Sequence, residues 1–173
     1  MRQLVLWIPD WPALVALADR PADTALAVFA KGVVLACTQQ ARANGVRRGM
    51  RRRDAQGRCP GLVVVDQRAE VDAKAFEQVL TLIDQFSPTA SLLRPGLAAL
   101  AVPEKFYGGE AEAAAILTEL LVEQGVWDVR IGIADGVFVA ELAARQAATP
   151  FPEKGNCHPE KSCSSQKIQW KGD

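Results

Sequence analysis

Between Ala69 and Phe86 the chain places apolar side chains at Val71, Ala75, Phe76, Val79, Leu80, Leu82, Ile83 and Phe86. That spacing is the stripe of an amphipathic helix about five turns long. A helix with one apolar face has to bury it, and the flanking segments supply a partner. Leu4–Ile8 is a short apolar run suited to a buried strand, and Asp10-Trp11-Pro12 reads as a helix start, with Asp10 as N-cap and proline in the first turn, running to about Ala18. Ala25–Ala30 and Val33–Cys37 flank Lys31-Gly32 and read as a hairpin. Short helices are expected at Gln39–Asn44, closed by Gly45, and at Arg51–Arg58, with a strand at Leu62–Val65. Beyond the long helix, Ser91–Leu93 and Leu97–Val102 bracket the turn Arg94-Pro95-Gly96. Glu110–Glu123 is helical, Val129–Ile133 a strand and Phe138–Ala147 a last helix. Strand-rich stretches with long helices between them predict an α+β fold, a sheet covered on one face.

Composition marks where this pattern stops. All 28 alanines and all 13 arginines lie before Thr149, whereas four of the seven lysines follow it. Residues 149–173 show no period of 2 or 3.6, so they read as a disordered tail or the product of a reading-frame change, and 1–148 is the working domain. A chain of this length buries roughly 70 % of its unfolded surface, enough for a core without staples. Lys+Arg and Asp+Glu are both 20, so nucleic-acid contact would have to come from a local patch. No apolar run approaches the ~20 residues of a membrane span, and the opening segment lacks the features of a secretory signal. Four cysteines without a CxxC pair fit reduced thiols, and the expected location is the cytoplasm.

Several motifs, taken together in order and spacing, resemble the palm and fingers of Y-family translesion DNA polymerases, and specifically the ImuB-type branch. They are Leu4–Ala16, which enters a helix through Pro-Asp-Trp-Pro; Ala41-Arg42-Ala43-Asn44-Gly45-Val46-Arg47-Arg48-Gly49-Met50, similar to A-R-x-x-G-V-x-x-G-M; Val129-Arg130-Ile131-Gly132-Ile133-Ala134; and Leu93-Arg94-Pro95-Gly96-Leu97. The resemblance covers about residues 1–148 and implies a mixed or antiparallel palm sheet with covering helices, plus a small fingers segment at about 30–65.

The departures from the family pattern shape the functional expectation. Polymerases transfer nucleotidyl groups with two divalent ions clamped by carboxylates. Where the family has Asp-x-Asp, this chain has Ile8-Pro9-Asp10; where it has the paired Asp-Glu, this chain has Gly96-Leu97. Gln39 stands in place of the fingers tyrosine while Arg42 is kept, and Asp135 and Val137 occupy the lysine positions after the Gly132-Ile133 strand. A carboxylate there opposes a triphosphate by like-charge repulsion. The expectation is therefore a catalytically inactive homologue, not an enzyme, with no cofactor and Mg²⁺ only if residual activity exists. As the resemblance implies, it would act as an adaptor in DNA repair and SOS mutagenesis, in the response to DNA damage. Its partners would be DNA, a sliding clamp, an error-prone replicative-type polymerase and a RecA-like accessory protein, with their binding regions outside the matched stretch. Two alternatives stay open: an active error-prone polymerase with Asp10, Asp135 or Glu104 as substitute ligands, and a gene fragment without function.

The candidate DNA- and nucleotide-binding residues are Arg42, Arg47, Arg48, Arg51, Arg52 and Arg53. The last five lie within seven residues and read either as phosphate contacts or as the solvated face of a short helix. Arg42 reads as a phosphate-binding remnant or a structural pairing residue, and Asp10 as a remnant ligand or a helix cap. Trp7 is expected in the core rather than as a stacking platform. Cys37 and Cys59 are expected as buried thiols. Cys157, His158 and Cys163 lack the fourth ligand of a structural zinc site.

Overall fold

The computed structural model describes residues 2–102, 107–126 and 128–147. The expected tail, the Cys157-His158-Cys163 run and Glu104 lie outside the described residues. In chain order the elements are β1 Arg2–Trp7, α1 Trp11–Leu17, β2 Leu26–Ala30, β3 Val33–Cys37, α2 Gln39–Ala43, α3 Arg52–Arg58, β4 Val63–Asp66 and α4 Ala69–Phe86. They continue with β5 Ser91–Arg94, β6 Leu97–Ala101, α5 Glu110–Glu123, β7 Arg130–Asp135 and α6 Val137–Gln146. The described residues divide into two compact units: Pro9–Phe76, and residues 2–8 together with those from Glu77 to Ala147. No helix among the described residues is long and apolar enough to cross a membrane.

The discontinuous unit holds an antiparallel sheet in the order β5-β6-β1-β7. Pro95-Gly96 closes the β5–β6 hairpin, with Gly96 at φ 85°, where a side chain would be strained. Leu4, Val5 and Leu6 are all fully buried. Successive strand residues point to opposite faces, so β1 is covered on both sides. The expectation of one covered face is corrected by this run of three. On one face α6 lays Ala140 and Ala144 against Val5, Leu97 and Ala99. That approach depends on Gly132 of β7, where a Cβ would stand 2.1 Å from the Ala140 carbonyl oxygen and 2.2 Å from the Ala144 nitrogen.

The Pro9–Phe76 unit holds the sheet β3-β2-β4, antiparallel between β2 and β3 and parallel between β2 and β4. Alternate residues of β2 enter two different cores. Ala27 and Phe29 pack with Val34, Val46, Ala55 and Leu62, while Leu26 and Val28 pack with Ala13, Ala16 and Ala36. Thr38 ties the end of β3 to α2. Its Oγ1 accepts from Leu26 N at 3.0 Å and Ala41 N at 3.4 Å and donates to the Thr24 carbonyl at 3.0 Å. Trp11 is fully buried, donates from Nε1 to the Asp72 carbonyl at 2.9 Å and meets Phe76 edge-on at 5.2 Å between centroids.

The Asp72 side chain is buried, and its Oδ2 has no hydrogen-bond partner among the described residues. Burial pushes its carboxyl above the ordinary Asp range, against the opposing pull of Arg68 and a hydrogen bond from Gln67. A raised folded-state value means the native state holds the proton more tightly than the unfolded chain. Stability therefore falls as pH rises from the ordinary Asp value through the raised one, and the penalty is complete above both. Asp72→Asn is expected to remove that penalty. Its gain in urea stability over the parent, about 1 kcal/mol at pH 7, should shrink towards zero by about pH 3.5, below the unfolded-state value. An equal difference at both pH values would exclude Asp72 as the source.

Candidate nucleic-acid interface

The end of β1 and the start of β6 meet. Ile8 is buried and donates its N–H to the Gly96 carbonyl at 2.8 Å, and Leu97, also buried, stands opposite Trp7. This brings Ile8, Gly96 and Leu97 together, and none of the three carries a metal-ligating side chain. Asp135 sits at the far end of the same sheet, opposite Arg2. Arg2 lies five residue steps from Trp7 along the strand, roughly 17 Å, so Asp135 cannot reach the Ile8–Gly96 end. It lies instead within 3.8 Å of Arg2, whose guanidinium also grips Glu110 through two hydrogen bonds of 2.5 Å. The hydrogen bonds from Arg2 hold the Glu110 carboxyl below the usual range.

Asp10 departs from the helix-cap expectation. It occupies the N-cap position of α1, but its side chain makes no capping bond there. Its backbone carbonyl accepts from Ala13 and Leu14 instead. The carboxylate turns to the fingers motif: Oδ2 accepts from Arg42 Nη2, and Oδ1 accepts from Arg48 Nη2 at 3.1 Å and from the Cys37 backbone N–H at 3.2 Å. Arg48 also donates to the Pro9 carbonyl. Two guanidiniums and one amide thus take up three of the carboxylate's roughly four acceptor sites, and Arg42 is its ion-pair partner. The Cys37 thiol beside this knot is pushed up by burial and by the charge of Asp10, with Arg42 and Arg48 opposing. Cys37 and Cys59 are both free and buried.

The remaining arginines of the motif differ in their ties. Arg47 donates to the Arg42 carbonyl at 2.6 Å and the Val46 carbonyl at 2.9 Å. Arg52 lies 3.5 Å from Asp66 and 5.4 Å from the Phe29 ring centroid. Arg51 forms a bridge from its backbone to Val33 and precedes α3, and Arg53 follows within it. All five arginines from Arg47 to Arg53 are exposed. Arg47, Arg51 and Arg53 hold no ion pair with a carboxylate among the described residues. Trp7, expected in the core, is half-buried, with the guanidiniums of Arg130 and Arg145 each 5.4 Å from its ring centroid. Those arginines come from β7 and α6, and no sequence motif links them to Trp7.

Comparison with known proteins places this geometry. Residues 6–145 match the model of the impB/mucB/samB family. The chain is 29 % identical over 131 residues to DNA polymerase IV of Ectopseudomonas mendocina (strain ymp), covering 75 % of this chain and 37 % of that protein. It is 28 % identical over 116 residues to DNA polymerase IV of Alkaliphilus oremlandii (strain OhILAs), covering 65 % of this chain and 29 % of that one. The chain thus spans about a third of the length of these relatives. Among solved structures, the post-insertion binary complex of Dbh DNA polymerase superposes with a TM-score of 0.74 at 20 % identity, covering 86 % of this chain and 46 % of that chain. DinB from Sulfolobus solfataricus gives 0.68 at 20 % identity, with the same coverage.

These findings correct two expectations. The relatives are named DNA polymerases, so the reading of a homologue that is not an enzyme is overturned. The reading of no cofactor goes with it, because polymerases work through divalent ions. The side chains described here do not compose that donor set. Among the described residues no three His, Cys, Asp or Glu side chains converge, and Asp10 is committed to Arg42 and Arg48. No catalytic step through a metal follows from these residues. What the matched stretch and the fold establish together is kinship: the chain belongs to the impB/mucB/samB family, as a Y-family polymerase-like palm and fingers part.

Proposed function

We propose that this chain grips primer–template DNA in translesion synthesis, as the palm-and-fingers part of a Y-family DNA polymerase. The observation that carries the reading is the exposed arginine run of the fingers motif, in which Arg47, Arg51 and Arg53 lack carboxylate partners among the described residues. Arg42 and Arg48 hold Asp10 and keep the motif in shape, and Arg52 adds a weakly paired charge. Contacts of this kind go to phosphates and are independent of sequence. Divalent ions belong to the activity of the relatives, and the nucleotidyl-transfer step is assigned to no residue described here. The Leu93-Arg94-Pro95-Gly96-Leu97 hairpin supports a finer placement in the ImuB-type branch. That placement implies a cytoplasmic role in SOS mutagenesis beside a sliding clamp, an error-prone replicative-type polymerase and a RecA-like protein.

The test is the binding of a labelled primer–template duplex by fluorescence anisotropy across a salt series. The parent is expected to lose affinity steeply with salt. Arg47→Gln/Arg51→Gln/Arg53→Gln is expected to flatten the log–log slope by just under three, at about 0.9 per phosphate contact. Equal slopes for parent and triple variant would overturn the assignment.

A further inference from the structure

At one end of the antiparallel sheet, Trp7 of β1, Arg94 of β5, Arg130 of β7 and Arg145 of α6 form a cluster. Trp7 stands opposite both Arg130 and Leu97, and Arg94 stands opposite Leu97 on the other side of β6. The guanidiniums of Arg130 and Arg145 lie over the Trp7 ring, each 5.4 Å from its centroid. Two carboxylates face these three cations. Asp128 Oδ1 accepts from Arg130 Nε at 3.2 Å. Glu141 Oε1 accepts from Arg94 Nη2 at 3.1 Å and from Arg145 Nε and Nη2 at 3.1 and 2.5 Å.

One carboxylate cancels one positive charge, so the sharing of Glu141 between Arg94 and Arg145 leaves one charge over. The exposures set the outward field. The Arg94 and Arg145 side chains are 54 % and 45 % exposed, and that of Glu141 is 20 %. The cations therefore face solvent with the anion behind them. Arg94 keeps Nε and Nη1, and Arg145 keeps Nη1, clear of protein acceptors among the described residues. A guanidinium stacked on an aromatic ring has lost little further freedom when it forks onto a phosphate.

Resting on the DNA-gripping reading above, we infer that this tryptophan-and-arginine cluster is a second phosphate-contact patch for a nucleic-acid strand, carried by a different unit of the chain from the Arg47–Arg53 run. Trp7 settles which part of the strand is met. Its ring is half-buried and taken up by two guanidiniums, so it offers no platform for a base. Contact is made through phosphates and is independent of sequence.

The test compares the full chain with Arg94→Gln/Arg145→Gln, using a labelled primer–template duplex and a salt series. The double variant is expected to lose just under two from the log–log slope, by about 0.9 per contact, and by the same amount on duplexes of unrelated sequence. Glu141→Gln removes the shared anion and is expected to tighten binding roughly threefold; it keeps the inference testable should the double variant fold poorly. If a folded double variant keeps the parent's slope, or Glu141→Gln leaves affinity unchanged, the patch is overturned while the fingers reading stands. A parent chain that binds no duplex even at low salt overturns both.

Discussion

Gly132→Ala is expected to cost the sheet-and-helix unit about 3 kcal/mol or more, a loss beyond the ordinary penalty for one added methyl. The added Cβ would meet the Ala140 carbonyl oxygen at 2.1 Å and the Ala144 nitrogen at 2.2 Å, with the Ala143 carbonyl carbon at 2.9 Å. All three are backbone atoms of α6, so no rotamer change relieves the clash. The helix must lift away from β7, and in doing so it uncovers Val5, Leu97 and Ala99, which Ala140 and Ala144 now cover. Thermal melting followed by circular dichroism should show a fall on the order of 10 °C. Gly57→Ala makes the control. Gly57 lies within α3, has open space where its Cβ would go, and gains helix propensity from the change. Its melt should stay level or rise, and a Gly132→Ala melt indistinguishable from it would remove the close-approach argument.

Trp11→Ala is expected to cost about 3–5 kcal/mol, the range for emptying a buried large aromatic site. Trp11 is fully buried and holds the first two turns of α4, by the 2.9 Å bond from Nε1 to the Asp72 carbonyl and by its edge contact with Phe76. Trp11→Phe separates these contributions, because it keeps an aromatic edge and deletes the donor. About 1 kcal/mol of the loss should remain in that variant, the net worth of one hydrogen bond to a carbonyl that keeps its place in the helix ladder. Denaturant midpoints of the parent and the two variants measure both parts. A Trp11→Phe midpoint equal to that of the parent would mean the hydrogen bond contributes nothing.

The local elements were legible because each is written in a few consecutive residues. The 3.6-residue stripe marks α4 at Ala69–Phe86, the bounds it adopts. Lys31-Gly32 and Pro95-Gly96 mark the two hairpins because their turns require positive φ, which both Lys31 and Gly32 adopt, as does Gly96. What escaped was long-range. Asp10 looks like a cap by position, and only the folded return of residues 37–48 offers it Arg42, Arg48 and the Cys37 amide. The Trp7 cluster draws on residues 7, 94, 130 and 145, and only strand register brings them together. Gly132 matched a family motif, but its purpose as a seat for α6 depends on a helix that follows it. The candidate site was legible as a run of arginines. Which of them are tied and which face solvent depended on carboxylates at positions 10 and 66.

The central position of β1 has a consequence for how the protein is made. Its pairing partners are β6 and β7, which begin at Leu97 and Arg130. On a ribosome the Leu4-Val5-Leu6 segment emerges before both of these strands and must wait for well over a hundred further residues before both of its edges are closed. At ordinary elongation rates that is on the order of ten seconds. The Pro9–Phe76 unit is continuous in sequence and carries its own strand pairs and cores, so it can close during that interval. A strand made before either of its partners is thus sheltered only after both, and while it waits its apolar residues are open to chaperone capture.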